Sequence, residues 1–236
     1  MKTVKRISFV FAFFFLPYIV SAANSKAPLI IEKLKHQQLV DKFYETRGTS
    51  LFWFNSDQQE SPLLRQKAKM LFDSAVYLGL DKQRYHYDWI SANIIDDGSL
   101  QDSLMRITAD RIYTDALITF CKDIYGGAEL NSWLGYDEVR VKFETLDNSY
   151  ILTGLSVVSS PVELDWFIRF LEPSCDDYLN LKNQLKEEVL TNNDTCAVKQ
   201  LSQSLNVLRW IKHYRFSDLT ARNVSEEMQL LCSWLW

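Results

Sequence analysis

Histidine occurs only three times in the 236 residues, at positions 36, 86 and 213, and no two stand at HxxxH or HExxH spacing. Zinc needs three or four ligands that such spacings supply, so no metal site is expected. Only seven glycines are present, with no Gly-rich phosphate loop, no G-x-S-x-G elbow and no S-x-x-K. Nucleophilic catalysis and nucleotide binding therefore lack their usual sequence footing, and neither a catalytic residue nor a cofactor is expected. There is no C-x-x-C, which removes the thioredoxin type of redox site. Nor is there a polybasic stripe: the net charge is −4, with acidic residues dispersed along the chain, so nucleic acid is not an expected partner.

The N-terminus does have a pattern. Lys2, Lys5 and Arg6 precede an apolar run from Ile7 to Val20, followed by the small residues Ser21, Ala22 and Ala23. This is the layout of a signal peptide, with residues 1–22 removed after Ala22 and the protein exported to the periplasm. The apolar core from Phe9 to Leu16 is short against the roughly 20 residues of a membrane span, and no later stretch is long enough to cross a bilayer. Cleavage removes three positive charges and leaves 214 residues at net −7. That length buries a substantial core.

The remaining chain reads as mainly α. Ser61-Pro62 supplies a helix start, Leu64, Ala68, Leu71, Ala75 and Leu78 make one apolar face, and Gly79 ends it. A second helix is expected from about Leu100 to Tyr125, with Leu104, Ile107, Ile112, Leu117, Phe120 and Ile124 inward and Gly126-Gly127 after it. Ser160-Pro161 starts a helix through Trp166 and Phe170 that stops before Pro173. Tyr178, Leu181, Leu185 and Val189 then recur at steps of three and four, as do Val198, Leu201, Leu205, Leu208 and Ile211 after Thr195; these two segments predict an antiparallel helix pair. Around 138–152 the pattern changes, because Val139, Val141 and Phe143 alternate with Arg140 and Lys142. A short β hairpin or extended insertion is expected there. The helical domain spans 23–214, and 215–236 forms a tail with an apolar end at Leu230, Leu231, Trp234, Leu235 and Trp236.

Candidate contact residues come from the aromatics. Tyr85, Tyr87 and Trp89 follow a helix stop, where rings can form an exposed platform for a glycan or a partner, whereas Phe43, Trp53 and Trp210 are expected in the core. Four cysteines follow the signal peptide, at 121, 175, 196 and 232. Cys175 and Cys196 are the candidate disulfide pair, although a helix over 175–190 would hold its ends about 24 Å apart at ~1.5 Å per residue, so the bridge needs the following segment to fold back. Cys121 in an apolar run reads equally well as a buried free thiol. Carboxylate doublets at Asp96-Asp97, Asp176-Asp177, Glu187-Glu188 and Glu226-Glu227 are expected to be solvated.

Several stretches, taken in order, resemble the N-terminal scaffold domain of the large periplasmic murein L,D-transpeptidases. Leu39-Val40-x-x-Phe43-Tyr44-x-x-Arg47 leading to Trp53 is similar to that domain's opening helix, and Ala75-x-x-Leu78-Gly79-Leu80-Asp81 with Tyr85 to its next step. Asp110, Thr114-Asp115-Ala116-Leu117 and Asp123-x-x-Gly126 resemble its "D…TDALL…D…G" helix. Pro173, Tyr178 and Leu181, then Leu205-Asn206-x-x-Arg209-Trp210, match its "P…Y…L" and "N…RW" elements. In that family the scaffold precedes a catalytic domain with an S-x-G-C nucleophile; none of the four cysteines here fits it, and Glu226-Glu227 stands where the family has an apolar strand. The resemblance implies a non-catalytic scaffold-like protein associated with peptidoglycan cross-linking, with an L,D-transpeptidase catalytic protein or peptidoglycan as partner. A truncated, inactive enzyme remnant, with 215–236 left from the start of the missing catalytic domain, and a wall hydrolase using carboxylates stay open beside it.

Overall fold

A computed structural model describes residues 33–48, 51–55, 59–92, 103–128, 148–192 and 194–217, with side chains as far as Arg209. Residues 1–32 and 129–147, the tail from 218, Cys232 and the side chains of Trp210 and His213 lie outside the described residues. Among the described residues eight α-helices carry the fold: α1 (Gln37–Arg47), α2 (Ser61–Asp73), α3 (Tyr87–Ala92), α4 (Ser103–Gly126), α5 (148–157), α6 (Pro161–Leu171), α7 (Asp176–Thr191) and α8 (Thr195–Ser217). No strand occurs among the described residues. Residues 148–152, expected to be part of an extended insertion, are helical and begin α5, where Ile151, Leu152 and Leu155 enter the core. The apolar spacing of three and four from Ile151 to Leu155 is helical, and the alternation that suggested a strand ends before it.

α4 is the axis around which the others pack. Every residue from Ile112 to Cys121 is buried, and the helix touches α1, α2, α6 and α8 as well as the 3₁₀ turn Lys82–Tyr85. Ile112, Ala116, Leu117, Ile118, Phe120 and Cys121 spread apolar contact round the helix, and the acids and threonines between them are buried with it. Its first turns behave differently: Leu104 and Ile107, expected inward, are exposed. Phe43, Phe52, Trp53 and Tyr113 fill one side of α4 with edge-on and tilted ring contacts, and Phe72, Tyr85 and Phe120 fill another.

α2 starts with Ser61 inside the helix and Pro62 just after it, at a position where the missing N–H costs nothing. The Ser61 hydroxyl donates to the Phe52 carbonyl at 3.4 Å and does not cap the helix. At the other end α2 tightens into the 3₁₀ turn Ser74–Leu78 and stops at Gly79, whose φ is 67°. Gly79 N–H donates to Val76 O at 3.2 Å and Leu80 N–H to Ala75 O at 3.0 Å, the paired closure that needs a left-handed residue.

α6 begins as expected. Ser160 Oγ accepts from Glu163 N–H at 3.3 Å while Glu163 Oε2 accepts from Ser160 N–H at 3.1 Å, a complete capping box followed by Pro161. Ser160→Ala is expected to cost about 1 kcal/mol of stability in urea unfolding; no loss would mean that the box is idle. α5 lies close on α6 because residue 154 is glycine: a β-carbon there would come within 2.1 Å of the Phe167 ring.

α7 and α8 form the expected pair around Tyr178, Leu185 and Leu205, with Leu181, Val189, Val198, Leu201 and Leu208 against them. This arrangement separates Cys175 from Cys196. The first sits at the start of α7 and the second follows its end, with 16 helical residues between them, so the candidate disulfide does not form; both are exposed free thiols. Cys121 is a fully buried free thiol whose pKa burial drives up.

Candidate functional site

Three acidic residues of α4, Asp110, Asp115 and Asp123, are buried, and each holds down a different piece of chain. Asp110 accepts the backbone N–H groups of Phe52 at 3.1 Å, Trp53 at 2.7 Å and Phe54 at 3.0 Å, together with the Tyr44 hydroxyl. One turn along, Thr114 Oγ1 accepts from Trp53 Nε1 at 2.9 Å and bonds the Tyr44 hydroxyl at 2.7 Å. The irregular link 51–55 has no helix of its own to satisfy these donors, and a carboxylate with two oxygens can take several at once. Burial pushes the Asp110 carboxyl above its usual range, with the tyrosine and backbone donors pulling the other way.

Asp115 receives Lys35 N–H at 2.9 Å and His36 N–H at 2.7 Å, which anchors the start of α1, and its Oδ2 lies 2.6 Å from His86 Nε2. His86 has φ of 50°, a left-handed conformation that costs a residue with a β-carbon about 1 kcal/mol. The carboxylate contact supports it there. Burial raises the Asp115 pKa, but the His86 and backbone hydrogen bonds outweigh it and hold the carboxyl below its usual range. Asp123 pairs with Arg84 Nε at 2.8 Å and Nη2 at 3.2 Å and accepts the Tyr85 hydroxyl at 3.0 Å.

The second cluster ties α8 to this body. Asn206 Nδ2 donates to Gly79 O at 3.0 Å while its Oδ1 accepts from Ala128 N–H at 3.0 Å. Arg209, fully buried, donates to Leu78 O at 2.7 Å and to the Tyr178 hydroxyl at 2.7 Å. The "GL" and "N…RW" elements, far apart in sequence, therefore meet in space. Arg47 does a similar job elsewhere: Nη1 donates to the carbonyls of Ser156 at 3.0 Å and Val158 at 3.3 Å, at the end of α5, and its guanidinium lies 4.5 Å from the centre of the Phe52 ring. The family-like motifs are thus the clamps of the fold.

The expected aromatic platform is only partly exposed. Tyr85 is fully buried, because the turn after Gly79 lays it back against Phe72 and Phe120, where its phenol reaches Asp123. It cannot offer a free face. Tyr87 is half-buried, with Lys82 Nζ 4.2 Å and Lys69 Nζ 5.4 Å from the ring centre and its hydroxyl on Asp73; Trp89 is half-buried against the core. Of the carboxylate doublets, Asp176-Asp177 are exposed in the first turn of α7, where negative charge is favourable, and Glu188 closes its end through Asn192 and Asp194. Asp96-Asp97 and Glu226-Glu227 lie outside the described residues. Among the described residues no group of three His, Cys, Asp or Glu side chains could hold a metal.

Exposed aromatic surface occurs instead on α6. Val162 is 64 % exposed, Trp166 70 % and Phe170 70 %, while Leu164, Ile168 and Leu171 are buried on the opposite side. The helix carries two apolar stripes, offset by about half a turn. Both were visible in the sequence, but periodicity could not choose the inner one.

Acid should loosen the α1 anchor. The His36 pKa is lowered by burial and next by Lys122, so its contribution is complete above about pH 6.5 and is lost as pH falls through the lower folded value. Asp115 has the same sign: its contribution is present above about pH 4 and declines as pH falls through its depressed folded pKa. Urea unfolding from pH 7.5 to 4 is expected to show stability falling below about pH 6.5, with a shallower fall in His36→Gln; identical profiles would remove His36 from the effect.

A family model described as a scaffold domain matches residues 38–185. No curated protein and no solved structure matches the chain. The matched span runs from α1 into α7 and includes all three α4 carboxylates, whereas Asn206 and Arg209 lie beyond it. With the ordered motifs from Phe43-Tyr44 to Tyr178 inside that span, the chain belongs to the scaffold-domain family that its L,D-transpeptidase-like motifs anticipated.

Proposed function

We propose that this chain is a non-catalytic periplasmic scaffold that serves peptidoglycan cross-linking by contacting an L,D-transpeptidase catalytic protein or the wall itself. The observation that carries this reading is the scaffold-domain match over residues 38–185. The site chemistry agrees with it, since Asp110, Asp115, Asp123 and His86 are each engaged in holding one part of the fold to another. A scaffold is used through its shape, and such clamps keep that shape. Export follows from the charged start, the short apolar core and the small residues before Ala23. Tyr87 and Trp89, with part of their rings exposed, are the contact residues in this reading.

The test is a pull-down of the protein from Ala23 onward against periplasmic extract and purified sacculi. Enrichment of an L,D-transpeptidase, or sedimentation with sacculi that Tyr87→Ala reduces several-fold, supports the scaffold role. A folded protein that captures neither overturns it and leaves the remnant reading. Release of muropeptides from sacculi would overturn it in favour of a hydrolase.

A further inference from the structure

We propose that Cys175 and Cys232 form a disulfide that ties the segment after α8 back to the start of α7. The bond rests on the export reading above, since export brings the thiols to a compartment where disulfides form and persist. Four cysteines follow the signal segment, and the fold leaves only two of the possible pairs. Cys121 is fully buried in α4, the axis of the bundle, where no second thiol reaches it without opening the core. Cys175 and Cys196 stand at opposite ends of α7, about 24 Å apart at ~1.5 Å per residue, against about 5.5 Å between bridged Cα atoms. Cys232 therefore pairs with Cys175 or with Cys196.

The helix pair decides between them. Tyr178, one turn into α7, meets Arg209 of α8, its hydroxyl 2.7 Å from Arg209 Nη2. Because the two helices are antiparallel, going on from Arg209 to Ser217 leads the same way as going back from Tyr178 to Cys175. With helix axes 8–10 Å apart, Ser217 and Cys175 are separated by about 12 Å. Cys196 lies near the other end of α8, about 32 Å from Ser217 along the helix. Cys232 follows Ser217 by 15 residues, and a flexible chain of that length spans about 22 Å on average. Cys175 is well inside that span and Cys196 is beyond it, so the effective concentration of Cys232 is on the order of tenfold higher at Cys175. Cys175 is also available. It is exposed, and although it stands at the cap position of α7 its Sγ makes no capping hydrogen bond. The chemistry is thiol–disulfide exchange with a protein or glutathione disulfide. The Cys232 thiolate attacks one sulfur of that donor and the other leaves as a thiol; the Cys175 thiolate then attacks the Cys232 sulfur and displaces the second donor thiol. Two electrons and two protons pass from the cysteines to the donor. The bond closes a loop that contains α7 and α8 whole, which restricts the unfolded chain over both.

The test maps the bond in two samples of the full chain. One is expressed in a bacterial host with its own N-terminus and alkylated on lysis; the other is refolded from the reduced state in a glutathione redox buffer and then alkylated. Both are digested without reduction and read by mass spectrometry, together with the N-terminal residue of the first. A peptide pair joined through Cys175 and Cys232, with Cys121 and Cys196 alkylated, is the expected result in both. Reduction, Cys175→Ala and Cys232→Ala should each lower the urea midpoint by about 1 M, whereas Cys196→Ala should leave it in place. A Cys196–Cys232 bond, or a bond between two copies, overturns the proposal. So do alkylated thiols at 175 and 232 in a chain that begins at Ala23, and so does failure to form the bond in the glutathione buffer. A cell-derived chain that keeps residues 1–22 and has free thiols, beside a Cys175–Cys232 bond in the refolded sample, supports the pairing and overturns the export reading instead.

Discussion

Asp110→Ala is expected to lower the unfolding free energy by about 4 kcal/mol, the larger share from buried donors left without an acceptor at about 1–3 kcal/mol each. Three of those donors are the consecutive N–H groups of Phe52, Trp53 and Phe54, and the fourth is the Tyr44 hydroxyl, which keeps Thr114. The link 51–55 should come away from α4 and take the Trp53 indole with it, so near-ultraviolet dichroism should fall together with the urea midpoint. Asp110→Asn retains one acceptor oxygen in the same place and should cost about half as much. A loss below about 1 kcal/mol in Asp110→Ala would show that water or a shifted backbone replaces the carboxylate. The sign with pH is opposite to that of Asp115. Burial raises the Asp110 pKa, so its protonation favours the folded state, and its contribution declines as pH rises from about 4 through the folded value.

Gly79→Ala should be nearly as damaging, for a different reason. At φ of 67° a β-carbon costs about 1–2 kcal/mol, and this one would stand 2.7 Å from Ser202 Cα, in the backbone of α8. Neither a rotamer change nor a side-chain shift relieves a contact with main chain. Overpacking of this kind adds about 1–3 kcal/mol, giving roughly 3 kcal/mol in total. The displacement would also strain the Asn206 bond to Gly79 O and the Arg209 bond to Leu78 O. Faster amide exchange through residues 195–209, with α4 still protected, is the expected signature. Adding Ser202→Gly should recover little, because the clash is with Cα; full recovery would place the conflict in the side chain.

The positions that were legible in the sequence share one property: their reason is local. Ser160-Pro161 with Glu163 starts a helix wherever it occurs, and Gly79 stops one, because caps and left-handed residues act within a turn. The spacing from Tyr178 to Val189 and from Val198 to Leu208 likewise told which faces of α7 and α8 would meet. The failures were not local. Leu104 and Ile107 continue the apolar period of α4 but are exposed, so period alone did not say where along the helix its partners stop. Tyr85 follows a stop signal, as a surface residue would, yet the chain folds back and supplies Asp123 38 residues away.

The candidate contact site shows the same division. The sequence pointed to aromatics after a turn, but the described residues place the most exposed aromatic pair, Trp166 and Phe170, within a regular helix. The motif acids Asp110, Asp115 and Asp123 were recognisable in order, but their partners come from residues 35–36, 52–54 and 84–86. By itself the sequence determined the helical class, the caps and stops, the α7–α8 pairing and the scaffold-family motifs, since these depend on neighbours one to four residues apart. Only the tertiary structure decided which acids are buried, why Cys175 and Cys196 stay apart and which stripe of α6 faces outward, because each depends on what distant chain has been brought alongside.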